Sequence, residues 1–372
     1  MTLNRATKFG CYAMPMARII GHNQAIETLQ IANENQRLHH AWIISGPLGV
    51  GKCTLAKEMG RVLLDPEVSN HSLGKEVLLT EETNTNHGVG YHPDLHIVHR
   101  SIAAHSSNPQ LRERKQINIP IDLLRETMIG GRTSDNRMHE AKAYLTASMG
   151  GSKVFIVDES ERLDLAGQNA LLKTLEEPPQ NTYFFLITAR PERLLPTILS
   201  RCQHLRLAPL TKDQMLEWAV DRGLDPQSSN VMKAIEFSEG SPGLAELAIQ
   251  REMTGWIDSI HSLMNQLHQG QWTIDSSNIC VDFVDSWAES VIKENPKASK
   301  DGANRDGIEM LLRILTTKIR RQMRVTQTRN EFFYWCQLID RIAETESQVS
   351  AGLNLKHVLE ALVVEWQEPA VC

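Results

Sequence analysis

Gly46-Pro47-Leu48-Gly49-Val50-Gly51-Lys52 follows an unbroken apolar run, Ala41-Trp42-Ile43-Ile44, and precedes a helically spaced series, Leu55, Ala56, Met59 and Val62. A buried strand that turns through a glycine-rich loop into a helix belongs to one architecture above all, a parallel sheet flanked by helices. The glycines let backbone N–H groups turn inward around a phosphate. The helix N-terminus adds a partial positive charge, and Lys52 adds a full one. Gly46, Gly49, Gly51, Lys52, Cys53 and Thr54 are therefore candidate nucleotide-binding residues. The bland alternative is a turn in a sheet protein, or a relic loop that no longer binds nucleotide.

The rest of the N-terminal half agrees with α/β organisation. Val154-Phe155-Ile156-Val157 and Tyr183 to Ile187 are further apolar runs of the kind buried on both faces, and Asp94 to Val98 reads as another strand. Residues 69–114 are otherwise polar and poorly periodic, as in an insertion or long loop. Ile121 opens a helix expected to continue, interrupted at Gly130-Gly131, toward Tyr144. Beyond Pro209 strand signals stop: Thr211 is a candidate N-cap, and helices are expected to Gly223, over Ser229 to Phe237, and after Ser241-Pro242-Gly243. Helical spacing then recurs over Ile308 to Val325, Glu331 to Ala343 and Leu355 to Trp366. The expected domains are a P-loop module over 16–208, a helical lid over 209–252 and an all-α domain over 253–372. The first 15 residues lack periodicity, and Met14 or Met16 is a possible start.

Length and charge narrow the function. A chain of 372 residues exceeds one ordinary core. Its net charge of −6 argues against coating nucleic acid by charge alone. No apolar run reaches the roughly 18 residues that span a bilayer, and no signal peptide is evident, so a cytoplasmic protein is expected. The six scattered cysteines form no C-x-x-C pair, which predicts reduced thiols and no zinc.

Chemistry concentrates at three further places. The position after Lys52 is Cys53, where a Ser or Thr hydroxyl normally ligates Mg²⁺, and that hard ion prefers oxygen; Thr54 would have to substitute from another helix face. Lys153 to Val157 ends in Asp158-Glu159, of which Asp158 suits the Mg²⁺ shell and Glu159 suits orienting or deprotonating a water; a solvated Asp-Glu pair is the bland alternative. Ser200-Arg201-Cys202 puts an arginine near a strand start, so either an internal carboxylate or an interface must satisfy it. Lys318, Arg320, Arg321 and Arg324 form a basic cluster that could touch DNA or a partner, or be a solvated helix face, as could Arg112, Arg114 and Lys115.

Leu163 to Pro179, including Gln168-Asn169-Ala170-Leu171-Leu172-Lys173-Thr174-Leu175-Glu176-Glu177-Pro178-Pro179, precedes Pro191-Glu192-Arg193-Leu194-Leu195 and Ser200-Arg201-Cys202. In that order these motifs resemble the bacterial clamp-loader branch of the AAA+ ATPases. The resemblance covers Ile19 to Ala248 and continues weakly into the last helix. It implies an AAA+ P-loop module, a small helical lid and an all-α collar. It also implies a first sensor at Thr188 and an arginine finger at Arg201, inserted in trans into a neighbour's ATP site. Gly243 stands where motor subunits carry a second-sensor arginine. The implied cofactors are ATP or ADP with Mg²⁺. The implied partners are gamma/tau and delta subunits in a hetero-pentamer, a sliding clamp, and primer-template DNA through the assembled complex. The four-cysteine zinc module of related subunits has no counterpart here, and His87, His92, His96 and His99 lack a ligand spacing.

The expected function is a stator that donates Arg201 and has negligible turnover of its own. Against it stand a motor using Lys52, Asp158 and Glu159 in cis, which Cys53 and Gly243 oppose, and an unrelated P-loop enzyme such as a small-molecule kinase, which the long helical tail and Ser200-Arg201-Cys202 oppose.

Overall fold

The computed structural model describes residues 18–65, 73, 92–113, 116–149, 151–271, 277–296, 298–351 and 353–366. The chain divides into two compact units, the first formed by residues up to Pro226 with Gly240–Leu244, the second by Gln227–Glu239 with the residues from Ala245 onward.

The first unit contains α1 (Asn23–Glu34), β1 (Ala41–Ser45), α2 (Lys52–Leu64), β2 (Leu95–Val98), α3 (Pro109–Arg112), α4 (Ile121–Leu124), β3 (Gly131–Arg132), β4 (Met138–His139), β5 (Lys153–Val157), α5 (Leu165–Glu176), β6 (Thr182–Thr188), α6 (Pro196–Leu199), β7 (Gln203–Arg206) and α7 (Lys212–Asp221). Five strands form a parallel sheet in the order β2-β5-β6-β1-β7. Alternate side chains enter two cores. Ile43, Phe155, Val157, Phe184 and Leu186 meet Leu123, Met128, Leu171 and Ile198 on one face. Trp42, Ile44, Ile156, Phe185 and Ile187 meet Leu29, Leu55 and Met59 on the other. Both faces are covered, which explains why these strands read as continuous apolar runs.

The helix expected at Ile121 does open there but does not continue toward Tyr144. α4 gives way to a short wider helical turn over Arg125–Ile129, then to the antiparallel ribbon β3–β4. Gly130 has φ +69°, and a β-carbon there would lie 2.5 Å from the Ala141 nitrogen. The chain reverses where only glycine fits. β7 has no apolar run because only Leu205 is buried in that edge strand. Thr211 caps α7, its hydroxyl accepting from the Gln214 N–H and the Gln214 side chain returning to the Thr211 N–H.

The second unit is helical: α8 (Ser229–Ser238), most of α9 (Pro242–Gln250), α10 (Thr254–His268), α11 (Asn278–Glu294), α12 (Lys300–Val325), α13 (Arg329–Ser350) and α14 (Leu355–Glu365). Ile308, Leu311, Leu312, Leu315 and Ile319 form the buried stripe of α12. Gly307 lets α12 approach α11, since a β-carbon there would stand 3.1 Å from Trp287. The basic cluster on α12 is partly neutralised: Arg320 and Arg324 pair with Glu239 at 3.1 and 3.8 Å, and Arg321 pairs with Glu236.

Candidate functional site

Register brings the carboxyl ends of the central strands to one edge. Ser45 lies opposite Thr188, Val157 opposite Leu186, and Val98 opposite Val157. The phosphate loop, Asp158-Glu159 and Thr188 therefore meet there, although they are far apart in sequence. This edge is where open parallel sheets place ligands.

Lys52 is buried, its Nζ donating to the carbonyls of Gly46 at 2.8 Å and Pro47 at 2.7 Å. Gly49 and Gly51 take φ of +75° and +107°, which orients the loop for α2 to start at Lys52. The loop also packs against residues 240–244. The Gly49 carbonyl accepts from the Gly243 N–H at 2.8 Å, and a β-carbon at Gly243 would stand 3.0 Å from the Gly49 Cα.

The glycine loop and Lys52 fit a phosphate group. The fit to Mg²⁺ is poorer, because Cys53 is disulfide-bonded and Thr54 is exposed. Neither a thiol nor a disulfide sulfur offers the oxygen that ion prefers. The disulfide at Cys53 corrects the expectation of reduced thiols there, while Cys202, Cys280 and Cys336 are free.

The carboxylates have opposite environments. Burial, then the charge of Glu159, pushes Asp158 up to about 6, although the Glu159 N–H and Lys52 oppose the rise. Lys57 on α2 feels the charge of Asp158, while burial lowers its amine to about 8. Glu159 takes φ +52° and accepts from Arg100 Nε at 2.9 Å on one oxygen and from Arg162 Nε at 3.1 Å on the other. Burial would raise its pKa, but the two guanidinium groups win and hold it below the ordinary carboxylate range. A carboxylate engaged through both oxygens is a poor proton acceptor.

Thr188 is buried; its hydroxyl accepts from the Arg190 N–H at 3.0 Å, and its carbonyl accepts from the Gly46 N–H at 3.3 Å. It stands directly beside the loop.

Arg201 lies at the other end of the sheet. It precedes β7, whose Gln203 pairs with Trp42 near the start of β1 and whose Arg206 pairs with Ser45 beside the loop. At ~3.3 Å per residue, three residues of strand put more than about 10 Å between Arg201 and that edge. Arg201 Nη1 donates to the Thr197 carbonyl at 2.8 Å and to Ser200 Oγ at 3.4 Å, and Nη2 pairs with Glu176.

Arg100, Arg162 and Glu176 are site residues that the sequence candidates lack. Arg162 stands three residues after Glu159 and is legible as a local pair. Arg100 reaches Glu159 only because β2 pairs with β5. Glu176 reaches Arg201 only because the end of α5 lies beside the start of β7.

Of the other candidates, His96 stacks on Phe155 at 4.7 Å and burial lowers its pKa to about 4, while His99 Nδ1 meets Ser101 Oγ at 2.6 Å. Among the described residues no group of three or more His, Cys, Asp or Glu could hold a metal ion. Arg112 donates to the Ser106 carbonyl at 2.8 Å. His87, Arg114 and Lys115 lie outside the described residues.

The chain is similar in sequence to known proteins. A family model described as DNA polymerase III, delta subunit, matches residues 21–211. DNA polymerase III subunit delta' of Escherichia coli (strain K12) is 31% identical over 219 residues, covering 59% of this chain and 57% of that protein. Subunit delta' of Pseudomonas aeruginosa is 25% identical over 362 residues, covering 94% and 98%. DNA polymerase III subunit gamma of Buchnera aphidicola subsp. Schizaphis graminum is 28% identical over 228 residues, covering 60% and 54%. The match thus spans little more than half the length of the first and third relatives. Since the family model takes in over half of the sequence, from the phosphate loop through Arg201 to the α7 cap, the chain belongs to the DNA polymerase III, delta subunit family.

Proposed function

We propose that the chain is the delta-prime-type subunit of a bacterial clamp loader, a cytoplasmic AAA+ stator that donates Arg201 in trans to the ATP site of a neighbouring motor subunit. Its partners would be gamma/tau and delta subunits in a hetero-pentamer, the sliding clamp, and primer-template DNA through the assembled complex. In this scheme residues 16–208 are the AAA+ module, 209–252 the lid and 253–372 the collar that joins the ring.

The observation that carries the proposal is the placement of Arg201 at the sheet edge opposite its own phosphate loop, partly exposed and held by Glu176 and Thr197. A guanidinium there meets charge developing on a neighbour's phosphates, not on its own. The cis site supports the same assignment: it lacks a hydroxyl after Lys52, Gly243 replaces a cation, and Glu159 is occupied by Arg100 and Arg162. Gly46, Gly49, Gly51, Lys52, Thr188 and Asp158 would bind ATP or ADP without appreciable turnover.

The test is steady-state ATP hydrolysis by the reconstituted complex. Arg201→Ala should lower kcat by about 10³ or more while nucleotide binding by this chain stays unchanged. Lys52→Ala should leave the complex within about twofold of wild type. The likeness to a gamma subunit and the intact Lys52 favour the alternative of a motor subunit. Loss of activity in Lys52→Ala with none in Arg201→Ala would establish that alternative.

A further inference from the structure

Arg201 borders a shallow cleft of about 490 Å³ lined by His39, His40, Leu175, Glu176 and Ser200. Glu176 is the last residue of α5, and its carboxylate pairs with Arg201 Nη2. A carboxylate at a helix C-terminus faces the negative end of the helix dipole, an unfavourable place for it. Its side chain is 48% exposed and that of Arg201 33%, so an ion pair between them adds little to folding. Local stability therefore accounts poorly for a glutamate here. Its geometry toward the arginine accounts for it better.

The base of the pair is rigid. Leu171 and Leu175 of α5 are buried in one sheet core, and the Leu175 carbonyl bonds His40 Nε2 at 2.9 Å just before β1. The end of α5 is thus fixed to the sheet. On the other side of the guanidinium, Nη1 is held by the Thr197 carbonyl of α6 at 2.8 Å. Of the five N–H groups of the guanidinium, two on Nη1 and one on Nη2 are engaged. The N–H on Nε and one on Nη2 have no acceptor among the described residues, and these form the fork that meets a phosphate oxygen pair.

We infer that Glu176 is a positioning residue, which with Thr197 fixes the Arg201 guanidinium so that its remaining N–H fork faces the phosphates of a nucleotide held by the adjoining subunit. The inference rests on the trans role proposed above. A free arginine side chain loses rotamer freedom when it engages an anion, and a pre-ordered one loses less. The benefit falls on the transition state, where phosphoryl charge is redistributed, and little of it on ground-state binding.

The experiment uses the reconstituted complex with full-length Glu176→Ala, Glu176→Gln and Arg201→Ala variants, measuring kcat and KM for ATP together with complex formation by gel filtration. Glu176→Ala should lower kcat about tenfold, the factor that corresponds to ~1.4 kcal/mol in barrier, with KM within about twofold and the complex intact. Glu176→Gln, whose amide oxygen still accepts an N–H, should recover to within about threefold of wild type. An unchanged or raised kcat in Glu176→Ala while Arg201→Ala is crippled would overturn the positioning role alone, as would loss of the complex. An active Arg201→Ala complex would overturn the trans arginine itself.

Discussion

Replacing Asp158 with asparagine should stabilise the first unit at neutral pH and by only about half as much at pH 5. The carboxyl follows β5 beside Lys52 and Lys57, and burial with the adjacent Glu159 moves it from 3.8 to about 6. Charging such a group above pH 6 costs up to ~3 kcal/mol, at about 1.36 kcal/mol per tenfold in proton affinity. Asp158 is half-buried, so ~1–2 kcal/mol is the expected gain from Asp158→Asn. The native acceptor role survives, since Asp158 Oδ1 takes the Glu159 N–H at 3.0 Å and an amide oxygen can do the same. The sign follows from proton linkage. The folded chain retains a proton that the unfolded chain releases between about pH 4 and 6, so wild-type stability falls as pH rises through that window and is flat above it. The Asp158→Asn variant lacks this fall. Scanning calorimetry at pH 5 and 8 should find the variant transition raised by roughly 3–6 °C at pH 8 and by about half as much at pH 5. A lowered transition at pH 8, or an equal shift at both, would refute the account of Asp158 as a carboxyl charged at a cost.

Two other substitutions probe the same edge. Glu159→Gln leaves Arg100 and Arg162 without their carboxylate and should destabilise the first unit by ~2–3 kcal/mol in urea unfolding at pH 7, with the deficit shrinking as acid protonates the wild-type carboxylate. Its effect on ATP hydrolysis by the complex should be far smaller than that of Arg201→Ala; an equal loss would make Glu159 a working base. Gly243→Arg restores a cation but adds a β-carbon 3.0 Å from the Gly49 Cα, and overpacking of this kind costs ~1–3 kcal/mol. It should lower the thermal midpoint without creating ATP hydrolysis in the isolated chain, and appearance of turnover would locate the defect at position 243 alone.

The sheet is legible in the sequence because β1, β5 and β6 are buried on both faces and carry unbroken apolar runs that few other structures require. β7 is hard to read because a half-exposed edge strand hides only Leu205. The ribbon at β3–β4 reads wrongly as helix, since Ile121 to Met128 does begin helically and only the reversal at Gly130 ends it. At the site, the loop and the acidic pair emerge from local patterns, as their chemistry is written in contiguous residues, whereas Thr188 follows only from the family resemblance. Arg100–Glu159 and Glu176–Arg201 do not, because strand order and helix packing create those pairs. No spacing along the chain encodes them. The ion pairs of Arg320, Arg321 and Arg324 with Glu236 and Glu239 belong to the same class.

The parallel sheet has one further consequence. Its two ends are chemically unlike, one carrying the phosphate loop and the other Arg201, so a contact that brings arginine to loop is heterologous and gives an assembly a direction. Copies of this chain stacked on one another would feed each arginine to a loop without a magnesium-ligating hydroxyl. A productive row would therefore, under the proposed function, change subunit type after this one. Under the proposed function, the chain is a terminus by chemistry: it ends the series of firing sites on one side while completing the last of them on the other.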